Sequence, residues 1–84
     1  MTEEQKEVFI YSTPTCMYCN MLKAYLDEKG VKYTNYDVSQ PDNQDKAKEM
    51  VEATGQMGVP VSKIGDQYIV GFNQPLIAEL LGLE

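Results

Sequence analysis

The sequence predicts an α/β layered domain with the element order β-α-β-α-β-β-α. Three observations carry that reading. Short runs of strand formers alternate with stretches of helical period. The first of those runs is almost wholly apolar, which suits a strand covered on both faces. A Gly65-Asp66 pair between two strand-like runs marks a hairpin near the end.

The first strand is read over Glu7–Ser12, around Val8-Phe9-Ile10-Tyr11, and Thr13-Pro14-Thr15 breaks it. From Met17 to Lys29 the residues Tyr18, Leu22, Tyr25 and Leu26 recur at helical spacing, and Gly30 supplies the stop. Val31–Val38, rich in Val, Tyr and Thr, reads as a second strand with imperfect alternation around Asn35. A second helix is expected from about Asp42 to Ala53, with Ala47, Met50 and Val51 as its apolar stripe and Gly55 as its end. Val59-Pro60-Val61 to Ile64 is a third strand, and Gln67–Val70 a fourth, antiparallel to it. Asn73 is the N-cap expected for a last helix with Pro75 in its first turn; Leu76, Ile77, Leu80 and Leu81 form its inner face. The first β-α-β unit requires a right-handed crossover and parallel strands, so a sheet that also holds the hairpin is mixed.

Size and charge exclude several functions. Eighty-four residues make one domain, 1–84, with no linker or repeat. A chain of this length buries only about 60% of its unfolded surface. No apolar run approaches the roughly 20 residues of a membrane span. The start, MTEEQKEV, has neither a basic nor an apolar leader region, so a cytoplasmic protein is expected. Thirteen acidic residues face seven lysines, for a net charge of −6, with no basic stripe for nucleic acid. Histidine is absent, which removes imidazole bases and imidazole metal ligands.

The two cysteines, Cys16 and Cys19, form a C-x-x-C pair where the first strand hands over to the first helix. Free N–H groups and the helix dipole at that position favour a thiolate on Cys16. Cys19 lies one helical turn on, on the same face. A thiolate at Cys16 can attack a disulfide, and Cys19 can resolve the mixed disulfide that results. Two blander readings stand beside this one. The pair could be half of a zinc site completed in a dimer, although the chain offers two thiolates and no imidazole towards four ligands. It could also be two inert core cysteines. A pair at the mouth of a β-α turn favours redox chemistry. Two further features have plain structural readings. Pro60 opens a strand, as proline can, and a cis bond has a base frequency of only about 5%. Gly71-Phe72-Asn73 is a strand-to-helix turn whose helix N-terminus is able to hold a carboxylate.

The segments IYSTPTCMYC at 10–19, TGQMGVPV at 54–61 and VGFNQ at 70–74 together resemble the glutaredoxins of the thioredoxin superfamily, in order and spacing. The resemblance implies a thioredoxin-like fold: a four-stranded mixed sheet flanked by three helices. It implies Cys16 as nucleophile, Cys19 as resolving thiol and Pro60 in cis. The substrate or glutathione site maps to Tyr18, Gln56, Val59, Pro60, Phe72 and Asn73. It implies a monomer acting on disulfide-containing proteins with no tightly bound cofactor, and glutathione as a possible co-substrate. Three positions depart from the glutaredoxin pattern. Thr13 stands where a lysine or arginine is common, Met17 replaces a proline, and Asn73-Gln74 replace an acidic pair. The related redoxins that serve ribonucleotide reductase take electrons from thioredoxin reductase instead, but their late tryptophan motif is missing here. The rival of another class is a carrier holding an iron–sulfur cluster between two subunits through the nucleophilic cysteine.

Overall fold

A computed structural model describes residues 7–56 and 58–83. Its elements follow the expected order: β1 (Val8–Ser12), α1 (Met17–Glu28), β2 (Thr34–Asp37), α2 (Gln44–Thr54), β3 (Val61–Ile64), β4 (Gln67–Val70) and α3 (Gln74–Leu81). The sheet order is β2-β1-β3-β4. β2 runs parallel to β1, while β3 is antiparallel to both β1 and β4. The sheet is therefore mixed, with three helices around it, and the apolar strand β1 lies inside it. Among the described residues no helix is long and apolar enough to cross a membrane.

Alternation along β1 feeds two separate cores. Val8 and Ile10 join Leu22 and Leu26 of α1, Ile64 of β3, Ile69 of β4 and Ile77 of α3 in one buried cluster. Tyr11 joins Met50 of α2 and Val61 in the other, with Phe9, Tyr36 and Tyr68 packed against them. The helices thus divide between the two faces, α1 and α3 on one and α2 on the other. Helix α1 ends in a Schellman motif: Gly30 N–H donates to Asp27 O, and Val31 N–H to Leu26 O. Gly30 sits at φ +72°, which only glycine adopts at little cost. The β3–β4 turn likewise has positive φ at its first residue, Gly65, as a type II′ hairpin requires.

Three boundaries and the buried face of one helix differ from the sequence reading. β2 covers only Thr34–Asp37, because Val31 and Tyr33 spend their side chains on the α1 core before the strand reaches its partner. The second helix starts at Gln44, after a 3-10 turn at Pro41–Asn43 that takes up the first residues expected of it. β3 begins at Val61, beyond Pro60, whose missing N–H makes it a poor ladder residue. In α3 the most buried residues are Ile77 and Ala78, while Leu76, Leu80 and Leu81 are partly buried against the core. Met57, within the 54–61 motif, lies outside the described residues.

The α2 face is braced by one carboxylate. Glu49 Oε2 accepts from the hydroxyls of Tyr11 (3.3 Å) and Tyr68 (3.0 Å) and lies 3.8 Å from Lys63 Nζ. Its Oε1 lies 3.8 Å from Lys46 Nζ. Lys46 also covers the Tyr36 ring, and Lys63 lies over Phe9 and Tyr68. Burial, and then the Glu49 charge beside it, push the Tyr11 phenol well above its ordinary range, so it stays a donor. Replacing Glu49 with alanine leaves the buried Tyr11 hydroxyl without its acceptor. That is expected to cost about 1–3 kcal/mol of unfolding free energy in urea titrations, part of which Tyr11→Phe in the same chain restores.

At the end of β2, Asp37 Oδ1 accepts from Ser39 Oγ (2.6 Å) and Ser39 N (3.0 Å). These bonds, the Ser39 hydroxyl foremost, hold the Asp37 carboxyl below the usual range, with help from Lys23. The folded chain then binds this proton less tightly than the unfolded chain. The stabilisation is complete above the ordinary carboxylate pKa and is lost as pH falls through the lowered one. Asp37→Asn is therefore expected to flatten the acid side of the stability curve, read as melting temperature between about pH 2 and pH 6.

Candidate active site at the carboxyl end of β1

After Ser12 the chain leaves the sheet and turns at Thr13, with Cys16 N–H donating to Thr13 O at 3.3 Å. Cys16 has extended dihedrals, φ −89° and ψ 113°, and is the N-cap of α1. Its sulfur takes the place of the usual oxygen cap by accepting from Cys19 N at 3.0 Å. Its carbonyl accepts the first helical bond, from Asn20 N at 3.2 Å. The first turn of α1 holds no acidic residue to oppose an anion. A backbone N–H aimed at Sγ and the positive end of the helix both favour negative charge on that sulfur.

Cys16 and Cys19 are joined as a disulfide, with Cα atoms 5.2 Å apart. The two sulfurs are not equivalent. Cys16 is partly exposed, whereas Cys19 is fully buried. The sequence put Tyr18 on the inner stripe of α1, but its side chain is 61% exposed. Cys19 takes the inner position instead, one turn before Leu22, because the helix starts one residue after Cys16 and that register turns Tyr18 outward.

The sheet register brings the other candidate residues to the same end. Tyr11 pairs with Val61, and Val61 with Val70. The exit of β1, the entry of β3 and the exit of β4 therefore lie side by side. The Val59–Pro60 bond is cis, and Pro60 O accepts from Gly71 N at 2.8 Å, tying the two loops together. Phe72 stacks obliquely on Tyr25 of α1, ring centroids 5.9 Å apart, and packs on the core. Asn73 caps α3, its Oδ1 accepting from Leu76 N at 3.3 Å. Val38 N–H donates to Ser12 O and brings the end of β2 to the same place. Gln56 is exposed on the loop after α2 and held by its backbone: its N donates to Thr54 Oγ1, and its O accepts from that hydroxyl. Its side chain makes no hydrogen bond among the described residues.

Of two exposed methionines at this end, Met21 went unnoticed in the sequence and Met17 was noticed only as the replacement of a proline. Met17 is 71% exposed and Met21 44%, both on the side of α1 away from the Leu22–Leu26 stripe. The signal available was their absence from that stripe. Among the described residues no group of three or more His, Cys, Asp and Glu side chains gathers in a way that could hold a metal ion.

Comparison with known proteins agrees with this geometry. The family model described as Glutaredoxin matches residues 8–69. The chain is 42% identical over 72 residues to a glutaredoxin-like 8.6 kDa protein from the rubredoxin operon of Clostridium pasteurianum, covering 86% of this chain and 93% of that one. It is 38% identical over 64 residues to glutaredoxin 3 of Escherichia coli, covering 76% and 75%. The glutaredoxin of Methanosarcina mazei superposes with a TM-score of 0.82 at 27% identity, over 92% of this chain and 79% of the other. With a C-x-x-C pair bonded at the head of α1 and a thioredoxin-like sheet behind it, the chain belongs to the glutaredoxin family and is a thiol–disulfide oxidoreductase.

Proposed function

We propose that Cys16 is the nucleophile and Cys19 the resolving thiol of a dithiol cycle that reduces protein disulfides or glutathione mixed disulfides. The observation that carries this assignment is the difference in exposure. Cys16 is half-buried and its Sγ faces a backbone N–H, while Cys19 is fully buried. The Cys16 thiolate attacks one sulfur of the substrate, forms a mixed disulfide and expels the other sulfur as a thiolate, which takes a proton from water. Cys19, deprotonated in turn, attacks Cys16 Sγ and expels the second substrate thiol. Two electrons pass to the substrate, and the chain is left with the Cys16–Cys19 disulfide.

Around this pair Val59 and Pro60 offer main chain to the segment carrying the substrate disulfide. Tyr18 covers its outer side, and Gln56, Phe72 and Asn73 form the rest of the site. No tightly bound cofactor is needed, since two thiols hold both electrons. We read the protein as a monomer of the cytoplasm, a compartment that keeps such thiols reduced.

Cys16→Ser is expected to abolish reduction of every disulfide while preserving the fold, because a serine hydroxyl still caps α1. Cys19→Ser is expected to accumulate a mixed disulfide with substrate, visible by mass spectrometry. Retention of general activity by Cys16→Ser would overturn the assignment.

The chain must then be re-reduced, by glutathione or by a flavoprotein of the thioredoxin reductase kind. Three features support weak use of glutathione. Thr13 carries no charge for a carboxylate, Asn73 and Gln74 carry none for an amine, and Asn73 Oδ1 is already engaged by Leu76 N. Neutral hydrogen bonds are roughly half as strong as charge-assisted ones. NADPH consumption with thioredoxin reductase is therefore expected to exceed that with glutathione and glutathione reductase at equal protein concentration. Faster turnover with glutathione would show that the site tolerates Thr13 and Asn73.

A further inference from the structure

Strand β3 buries a hydroxyl that nothing around it uses. Ser62 is 1% exposed, and its Oγ makes no hydrogen bond among the described residues. An idle donor in an apolar core is destabilising. Its neighbours in the sheet are Ile10 of β1 on one side and Ile69 of β4 on the other. Alternation puts Ser62 on the same face as Ile64, the face that α1 and α3 cover. Ser12, the other buried serine, is already engaged, its Oγ donating to Asn35 Oδ1 at 2.7 Å.

The same face receives the buried sulfur. Cys19 is 0% exposed and stands one turn before Leu22 on the inner side of α1. Leu22 shares its cluster with Ile10, the register partner of Ser62. Helix α1 runs back from the end of β1, so Cys19 comes over the sheet before Leu22 does. β3 is antiparallel to β1 and starts at that same end, with Ser62 as its second residue. Cys19 and Ser62 therefore enter one core from one end, the first from the helix and the second from the sheet. No carboxylate or ammonium group is buried with them among the described residues. The titratable side chains packed against this cluster are Tyr25 of α1 and Tyr33 beyond it, and α3 adds only apolar ones. Lys23, half-buried on α1, acts on Asp37 of β2.

On the reading of Cys16 as nucleophile and Cys19 as resolving thiol, we infer that the Ser62 hydroxyl donates a hydrogen bond to the Cys19 sulfur once the disulfide opens, and holds it as a thiolate for the resolving step. In the disulfide the Cys19 sulfur is neutral and a weak acceptor, which agrees with the idle hydroxyl. When Cys16 carries the substrate, Cys19 gives its proton to water. Desolvation opposes the thiolate that remains, and the Ser62 O–H is the donor that offsets it. The thiolate then attacks Cys16 Sγ, the S–S bond to the substrate breaks, and the substrate sulfur leaves with the electron pair. Ser62 keeps its own proton throughout.

The test mixes the reduced full-length chain with dithiodipyridine and follows thiopyridone release. The first release reports attack by Cys16 and depends on reagent concentration. The second reports resolution by Cys19 and does not. Ser62→Ala removes the hydroxyl without adding bulk, and this variant is expected to melt no lower than the wild type. The pH midpoint of its second phase is expected to rise by about one unit. The smaller thiolate fraction is partly offset by a more nucleophilic thiolate, so below both midpoints that phase slows by about threefold to fourfold. Above the raised midpoint the variant is the faster of the two, so the pH profiles cross. Ser62→Thr, which retains the hydroxyl, is expected to restore the wild-type profile. The first phase is expected to be the same in all three chains.

A second phase with one pH profile in the wild type and Ser62→Ala would overturn the inference while leaving the roles of the two cysteines intact. Parallel slowing of both phases at every pH would overturn it as well, and mark Ser62 as a packing residue. Loss of the first phase in Cys19→Ser instead of Cys16→Ser would reverse the roles of the cysteines and overturn both readings together.

Discussion

Strand β1 is the constraint on which the remaining structure hangs. It is paired on both edges and covered on both faces, so each of its side chains has a set destination. A slip of one residue would turn Val8 and Ile10 towards α2 and Tyr11 towards α1. The Tyr11 hydroxyl would then lie in an apolar cluster away from Glu49, at the cost of an unpaired buried donor. The register that avoids this also determines which residue leaves the sheet at the end of β1. That residue is Ser12, and the turn after it delivers Cys16 to the head of α1. The position of the reactive sulfur is therefore a consequence of packing in the two cores.

Much of this was legible in the residues themselves. The apolar run of β1, the glycine after α1 and the Gly-Asp hairpin each rest on local rules, and all three hold in the structure. The cap at Asn73 was readable for the same reason: its partner, Leu76, is three residues away. Interactions between distant segments were not readable. Nothing near Glu49 in sequence announces that it meets Tyr11, 38 positions away, and Tyr68, 19 away. The inner face of α1 was read with Tyr18 on it because periodicity alone does not weigh a cysteine as a core residue. The cis bond before Pro60 came from family resemblance, since X–Pro sequences alone seldom imply it.

The site combines a rigid half and a sparse half. Cys16, Cys19 and Pro60 are held by backbone bonds and by burial, all at one end of the sheet. Thr13, Gln56 and Asn73, which the family resemblance maps near a glutathione site, are uncharged here. What the surface offers instead is apolar: the exposed Met17, Tyr18 and Met21 of the helix that Cys16 caps. Such a surface gains more from desolvating a protein partner than from gripping a charged tripeptide.

The sulfur of Cys16 closes the first turn of α1 and, as the proposed nucleophile, also carries out the exchange. A side chain that keeps the first purpose and lacks the second, such as serine, leaves the molecule intact but silent. In a survey of variants scored separately for abundance in the cell and for turnover, position 16 would look tolerant on one scale and intolerant on the other. The buried core positions around Leu22 and Leu26 would fail on both. Divergence between those two scales marks a residue retained for reactivity, and here it would fall on a residue that local geometry alone would class as an ordinary helix cap.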